Sequence, residues 1–322
     1  MHSNSAQVSR PRAPWLRGAL GAAFGLFLCA GSRAQVGASS VGAMTYQALP
    51  NQLSALGVPL LRPVVGAGTV SVVSGNSLTL VLPMGDSGAV GQRFLAGESY
   101  FLEVVGQADG SSSTTVGQRF EINESASASA GAGVVVVDSN SALNTSAAST
   151  LATLVGARIV IRPHWTLKSI FGSGSGTSLN ASETVAKADQ VYLWNGAGFS
   201  VYYLRKGASP EWRSVSGGAT NQDGVIVPPG VGLYFRRQDG AASFSVVGEV
   251  RATPFVRSPL GKGQLVASAF PLPASPADLQ LVADPNLTAG TVAAGSDQLL
   301  TVDGSNFNVF FLRAGAAAAA WR

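Results

Sequence analysis

The chain has 322 residues, 46% apolar and only 12% charged, with 39 glycines and a single cysteine. Its formal charge of +4 comes from the N-terminus: Arg10, Arg12, Arg17 and Arg33 precede every acidic residue, and residues 35–322 hold 17 basic against 17 acidic side chains. A balanced chain with no run of Lys and Arg presents no basic face, which excludes a nucleic-acid partner.

The N-terminus reads as a secretion signal. The arginines of the n-region are followed by an uncharged, mostly apolar run from Gly18 to Ala30, and Ser32-Arg33-Ala34 offers a small-x-small cleavage site before Gln35. The run is shorter than the roughly 20 residues a membrane-spanning helix needs. Cys29 ends it. The large Leu28 just before Cys29 does not suit a lipoprotein signal, so the cysteine is expected to leave with residues 1–34. The remaining chain then has no thiol, and neither a disulfide nor a thiolate metal site is open to it. No later segment approaches 18 apolar residues, so no transmembrane helix is expected after cleavage.

Short strand-like runs separated by Gly, Asn, Asp, Ser and Pro indicate an all-β sandwich or barrel-like architecture with few short helices. In the region 35–163 the expected strands are Gly68–Val73 and Ser77–Leu82, a hairpin across Ser74-Gly75-Asn76. Tyr100–Val105, Gln118–Ile122, Val134–Val137 and Arg158–Arg162 follow. Ser125 to Gly133 reads as a loop. The pentapeptide VGQRF occurs at Val90–Phe94 and at Val116–Phe120, and reads as a strand entry after a glycine turn. Short helices are expected only at Leu151–Gly156 and Pro276–Val282.

Residues 164–260 form a module with a Trp-bearing hairpin, and residues 261–322 read as its partial second copy. Leu179–Gly207 and Leu287–Gly315 align without gaps at an offset of 108. Asp189/Asp297, Gln190/Gln298, Gly196/Gly304, Phe199/Phe307, Val201/Val309, Leu204/Leu312 and Arg205/Arg313 are identical pairs. Each unit reads as a hairpin turning at Asn195-Gly196 or Asp303-Gly304. Phe199, Val201 and Tyr203 share a face, as do Phe307, Val309 and Phe311, and that face is expected to be core. A further hairpin is expected between Leu233–Arg237 and Ser243–Val250, turning at Gln238-Asp239-Gly240. The second copy stops soon after its hairpin, so it is expected to pack on the preceding module.

No reactive constellation assembles in the sequence. Gly85-Asp86-Ser87-Gly88 has the form of a serine-protease nucleophile, but the only histidine before it is His2, inside the signal. An esterase block with a late Asp-x-x-His fails as well, because His164 is preceded three residues earlier by Ile161. As a lone imidazole His164 cannot build a zinc site with His or Cys partners. FGSGSGTS at Phe171–Ser178 lacks the Lys of a phosphate loop. Calcium at Asp284 and Asn286 is neither supported nor excluded. Glu98, Glu103, Glu121, Glu124, Glu183, Glu211 and Glu249 are available to a paired-carboxylate hydrolase, yet nothing in the sequence pairs them. No catalytic residue, metal site or cofactor is expected.

Aromatic residues concentrate between Trp165 and Phe235. Tyr192, Trp194, Tyr202 and Trp212 are the candidate ligand-binding residues. Facing solvent together they would make a platform for a sugar ring or a partner surface. Packed inward they would fill a β core, which is the favoured reading because exposed apolar patches are the exception.

At Arg162–Leu167 (RPHWTL), Asp189–Arg205, Pro228–Arg237 (PPGVGLYFRR) and Val247–Arg251 (VGEVR) the chain resembles an uncharacterised family of exported bacterial proteins. That family combines a signal peptide, a TL…LF segment, a Trp-bearing hairpin and a Pro-Gly-x-Gly turn before a strand. The resemblance covers roughly residues 60–322. It implies export and β architecture, and brings no activity, cofactor or catalytic residue. The expected role is a non-catalytic, structural or interaction one in the periplasm, cell envelope or extracellular space, with a cell-surface glycan or a protein as partner. The alternatives are a carbohydrate-binding module and a hydrolase with paired acids. An outer-membrane barrel is disfavoured by strands of five or six residues, where about 9–11 are needed to cross.

Overall fold

The computed structural model describes residues 40–322 except 85, 87, 174–177, 258–262, 273–274, 280, 282–286, 304–305 and 316–318. The expected signal segment, Gly85 and Ser87, half of the FGSGSGTS stretch, and Asp284 with Asn286 therefore lie outside the described residues. The fold is all-β, with short helical turns between strands.

Strands β1 (Val41–Ala48) and β2 (Leu53–Gly57) come first. Next are β3 (Gly66–Ser74), β4 (Ser77–Val81), β5 (Tyr100–Gln107), β6 (Arg119–Glu121), β7 (Val134–Val136) and β8 (Ala157–Pro163). The last six form one antiparallel sheet in the order β6-β5-β8-β3-β4-β7. The two edges of this sheet meet. Ile122 bridges Val137, the Asn123 N–H donates to the Val136 carbonyl (2.8 Å), and the Asp138 N–H donates to the Glu121 carbonyl (2.8 Å). The sheet thus curls round its own apolar face, helped by register shifts at Val70/Val72 and Val104/Gly106. Leu78, Tyr100, Leu102, Val104, Phe120, Val135, Ile159 and Ile161 fill the interior, and Leu151 and Leu154 pack into the same core. Alternation places these residues on one side, because successive strand side chains point to opposite faces.

The chain continues through β9 (Trp165–Thr166), helix α2 (Leu167–Phe171), β10 (Gln190–Trp194), β11 (Phe199–Arg205), β12 (Glu211–Ser214), β13 (Ile226–Val227), β14 (Gly232–Arg236) and β15 (Ala242–Glu249). A five-stranded sheet runs β12-β11-β10-β14-β2. Its buried face carries Val191, Leu193, Leu204, Trp212, Leu233 and Phe235, which pack against Leu167, Ile170 and Phe171 of α2 and Val246 of β15. Phe171, Phe235 and Phe244 cluster with ring centroids 5.0–5.7 Å apart, Phe171 stacked on Phe235 and Phe244 inclined to both. Two strands of the region 35–163 take part here: β2 pairs with β14, and β1 pairs with β15 from Val41↔Glu249 to Ala48↔Ala242.

The last strands, β16 (Gln298–Asp303), β17 (Asn306–Arg313) and β18 (Ala320–Trp321), form a three-stranded sheet. Its hydrogen bonds copy those around β10–β12. The Asn180 N–H donates to Asp189 Oδ2 (2.8 Å), as the Thr288 N–H does to Asp297 Oδ2 (2.7 Å). The Leu204 N–H donates to the Asp189 carbonyl (3.1 Å), as the Leu312 N–H does to that of Asp297 (3.0 Å). Gln190 Nε2 donates to the Val185 carbonyl (2.7 Å), as Gln298 Nε2 does to that of Ala293 (3.0 Å). Leu204 lies opposite Trp212, and Leu312 opposite Trp321.

Several local expectations are corrected. Residues 125–133 are not all loop, because Glu124–Ser129 is a helix, α1, whose N-terminus is capped by the Asn123 side chain accepting from the Ala126 N–H. The first VGQRF enters a 3-10 turn, Val90–Arg93, and only the second leads into a strand. Ala148–Leu154 is a 3-10 helix. Strand-like patterning predicts no helix at α2, although Thr166 and Ser169 form a capping box at its start. Asn195-Gly196 belongs to a four-residue loop, since Trp194 pairs with Phe199 and Asn195 Oδ1 accepts from the Ala197 and Gly198 N–H groups. Strands β14 and β15 are not a hairpin: β14 pairs with β10 and β2, whereas β15 pairs with β1. Phe199, Val201 and Tyr203 lie on the face opposite the core, and Phe199 is 42% exposed.

Candidate functional site

The outer face of the five-stranded sheet carries Tyr192, Trp194, Phe199 and Tyr234. Register places them together: Trp194 lies opposite Phe199, and Tyr192 opposite Tyr234. The Phe199 ring meets Trp194 edge-on at 5.2 Å, Tyr234 at 5.6 Å and Tyr192 at 6.4 Å. The Tyr192 hydroxyl donates to Gln190 Oε1. These four rings are a continuous aromatic surface built by period-two alternation on adjacent strands.

Against this surface lies a strap, Gly263–Ala267. The Gly232 N–H donates to the Leu265 carbonyl (2.8 Å), and the Ala267 N–H donates to that of Gly230 (3.0 Å). Gly263 has φ +62°, and a Cβ there would sit 3.2 Å from the Trp194 ring, so both backbone geometry and close approach call for glycine. Beyond the strap stands β16. Trp194, Phe199 and Tyr234 on one side and Asp297, Gln298, Leu299 and Leu300 on the other enclose a cleft of about 390 Å³, with Trp321 in its lining. Ligand sites commonly have volumes of about 300–1,000 Å³ with mostly apolar walls. The indole N–H groups of Trp194 and Trp321 are buried with no acceptor among the described residues. An unmet buried donor costs about 1–3 kcal/mol, which makes both groups conspicuous beside a cleft.

Trp194 also borders a smaller cavity of about 200 Å³, with Arg119, Pro228, Pro229, Arg257 and Gln264 in its wall. Arg119, Arg251 and Arg257 surround the Phe255 ring, their guanidinium carbons 4.4, 4.9 and 5.8 Å from its centre. Burial, and then the like charge of Arg251, lowers the Arg119 pKa to about 9, while burial alone lowers that of Arg257 to about 10. Arg257 is held by the carbonyls of Gly230 (2.7 Å) and Ala267 (2.9 Å), so it fastens the strap to the turn before β14.

The four candidate aromatics divide between two faces. Tyr192 and Trp194 belong to the outer surface. Tyr202 and Trp212 lie on the core face. Trp212 is 0% exposed, with its indole N–H donating to the Gly172 carbonyl at 2.9 Å, and so offers no surface to a ligand. Tyr202 packs against the same core. Phe199, Tyr234, Asp297, Gln298 and Trp321 were not singled out for the site. The 108-residue offset marks Phe199, Asp297 and Gln298 as repeat positions, but an offset does not say which surfaces face each other.

The buried acids serve the fold. Glu103 pairs with Arg251, Asp189 with Arg237, and Glu121 Oε2 lies 2.7 Å from His164 Nε2. His164 is buried, its ring 4.7 Å from that of Phe101. Asp297 is the one carboxylate lining the cleft among the described residues. Among those residues no group of three His, Cys, Asp or Glu side chains could hold a metal ion, and no helix is long and apolar enough to cross a membrane. Comparison with protein-family models, curated proteins and solved structures finds no match.

Proposed function

We propose that the chain is an exported, non-catalytic β protein that works by holding a partner in the cleft between its two strand-turn-strand units. The observation that carries this reading is the cleft itself: an aromatic wall faces an exposed strand, and two tryptophans leave their donors unmet. The buried acids support it too, because each is engaged by an arginine or by His164 of the fold rather than turned toward the cleft. Export rests on the three-part N-terminal pattern and on the resemblance to exported bacterial proteins. In a secreting bacterium the mature protein is expected to begin at Gln35, as N-terminal mass spectrometry of the recovered product checks.

Binding is tested by screening the purified protein against a glycan array and a peptide library, with Trp194→Ala and Phe199→Ala as controls. Ligands that bind the parent and lose about tenfold or more on these variants support the cleft. Retention on both variants, or no ligand in either screen, overturns it. Turnover of a glycoside or ester substrate would overturn the non-catalytic role. A second reading, carbohydrate binding, draws on the exposed ring of Phe199 beside Trp194, since flat apolar rings suit sugar faces. It predicts that the hits come from the glycan array.

A further inference from the structure

The first unit shows what completes such a unit. Strand β10 is paired on both sides, with β11 on one and β14 on the other, and Gln190, Val191, Tyr192 and Leu193 lie opposite Arg236, Phe235, Tyr234 and Leu233. The residue after β14, Arg237, reaches back to the buried Asp189 carboxylate, which also accepts from the Gln238 N–H (2.9 Å). In the second unit β16 matches β10 and Asp297 matches Asp189, but among the described residues β16 pairs only with β17. Among those residues no cation lies within ion-pairing distance of Asp297, and its carboxylate accepts from the Thr288 N–H alone.

The open edge is armed for pairing. The Phe311 N–H and carbonyl both bond Arg322, so Phe311 faces β18 and its register partner Gln298 turns its own N–H and carbonyl away from β17. Alternation sends those of Leu300 the same way. Leu300 is 53% exposed. The sequence QLLTVD has neither Lys nor Pro, the residues that usually blunt an edge strand. Gln298 and Leu300 also line the cleft, so a strand added there would lie along it, facing Trp194 and Phe199.

We infer that β16 is a docking edge for an extended segment of another protein, which adds as an antiparallel strand and places an arginine on Asp297. This rests on the cleft being the binding site and names its occupant. A second copy of the chain is not that occupant, since its own Arg237 segment is already held between β10 and β2. Main-chain hydrogen bonds would supply affinity, and the arginine register and specificity.

The probe is a synthetic peptide with the sequence of residues 232–238, Gly-Leu-Tyr-Phe-Arg-Arg-Gln, titrated into the full-length protein by fluorescence anisotropy. The expected result has three parts. The peptide binds. N-methylation at its tyrosine and first arginine, which would face β16, abolishes binding, while methylation at the leucine and phenylalanine does not. Replacing the second arginine with alanine weakens binding about tenfold, and Asp297→Asn removes that difference. The methylation series needs no protein variant and so stands even if D297N misfolds. Binding indifferent to methylation or to the second arginine would overturn the inference. So would a concentration-dependent dimer that occupies β16. Glycan hits sensitive to Trp194→Ala, with no peptide binding, would overturn strand addition while leaving the cleft as a binding site. Silence in both assays would remove the cleft reading as well.

Discussion

Trp194 and Trp212 sit in the same five-stranded sheet on opposite faces, and their burial separates their roles. Trp212→Ala empties the middle of a core and is expected to cost about 3–5 kcal/mol. Trp194→Ala removes a half-buried ring and an unmet donor, so it is expected to cost under about 2 kcal/mol while disabling the cleft. Urea denaturation of both variants, read beside the binding screens, checks the contrast. Tyr46 offers a pH test. Its hydroxyl donates to the Gly57 carbonyl, and burial pushes its pKa from 10 up to about 12. The neutral phenol is therefore favoured in the folded state, so its contribution is whole below pH 10 and is lost as pH climbs toward about 12. Tyr46→Phe is expected to cost about 1 kcal/mol at pH 7 and to flatten the decline in stability above pH 10, as urea midpoints across that range would show.

Among elements, the two units differ in how far their strands are completed. Asp189 is fully buried with Arg237 upon it, so Asp189→Asn should cost about 3–5 kcal/mol. Asp297 is partly exposed and has one backbone donor, so Asp297→Asn should cost under about 1 kcal/mol. Thermal unfolding of the two variants checks this, and equal losses would mean that Asp297 too is paired. Strand identity was legible from period-two alternation and β-branched runs: β3, β4, β5 and β8 fall within a few residues of the expected ranges. Pairing was not. Gln238-Asp239-Gly240 has the chemistry of a turn, and the chain does bend there with Gly240 at φ +62°, but turn chemistry does not say which sheet receives the next strand. The outer aromatic face is ambiguous in the sequence for a related reason. Phe199, Val201 and Tyr203 alternate as cleanly as Tyr202 and Leu204, and sequence alone does not decide which set turns inward when both are apolar. The helix α1 was hidden by its small residues, although Asn123 before Glu124 was a usable cap signal.

Across the molecule, a buried ionic layer ties the curled six-stranded sheet to the chain that follows β15. Arg251 pairs with Glu103 of β5, Thr253 Oγ1 donates to the same carboxylate (3.1 Å), and Arg119 of β6 donates to the Val256 carbonyl (3.1 Å). Glu103→Ala would leave Arg251 charged and unpaired in the interior, and is expected to cost about 3–5 kcal/mol in denaturant titration. A loss under about 1 kcal/mol would show that water reaches this layer. Composition announced an all-β chain, but this layer was invisible in it, because Glu103 and Arg251 lie 148 positions apart and neither stands in a charged run.

The pairing of β1 with β15 has a consequence in time. Val41 waits for Glu249, and Leu53 for Arg236, so the strands made first are satisfied only when most of the polypeptide has followed. Such distant closures make for slow folding, because loop entropy is lost before contacts repay it. A chain that finishes late stays threadable while it is being synthesised, which is the condition a translocation channel requires. Ribosome-stalled nascent chains whose emerged portion ends before Gly232 should leave β1 and β2 open to protease, and those whose emerged portion extends past Glu249 should protect them.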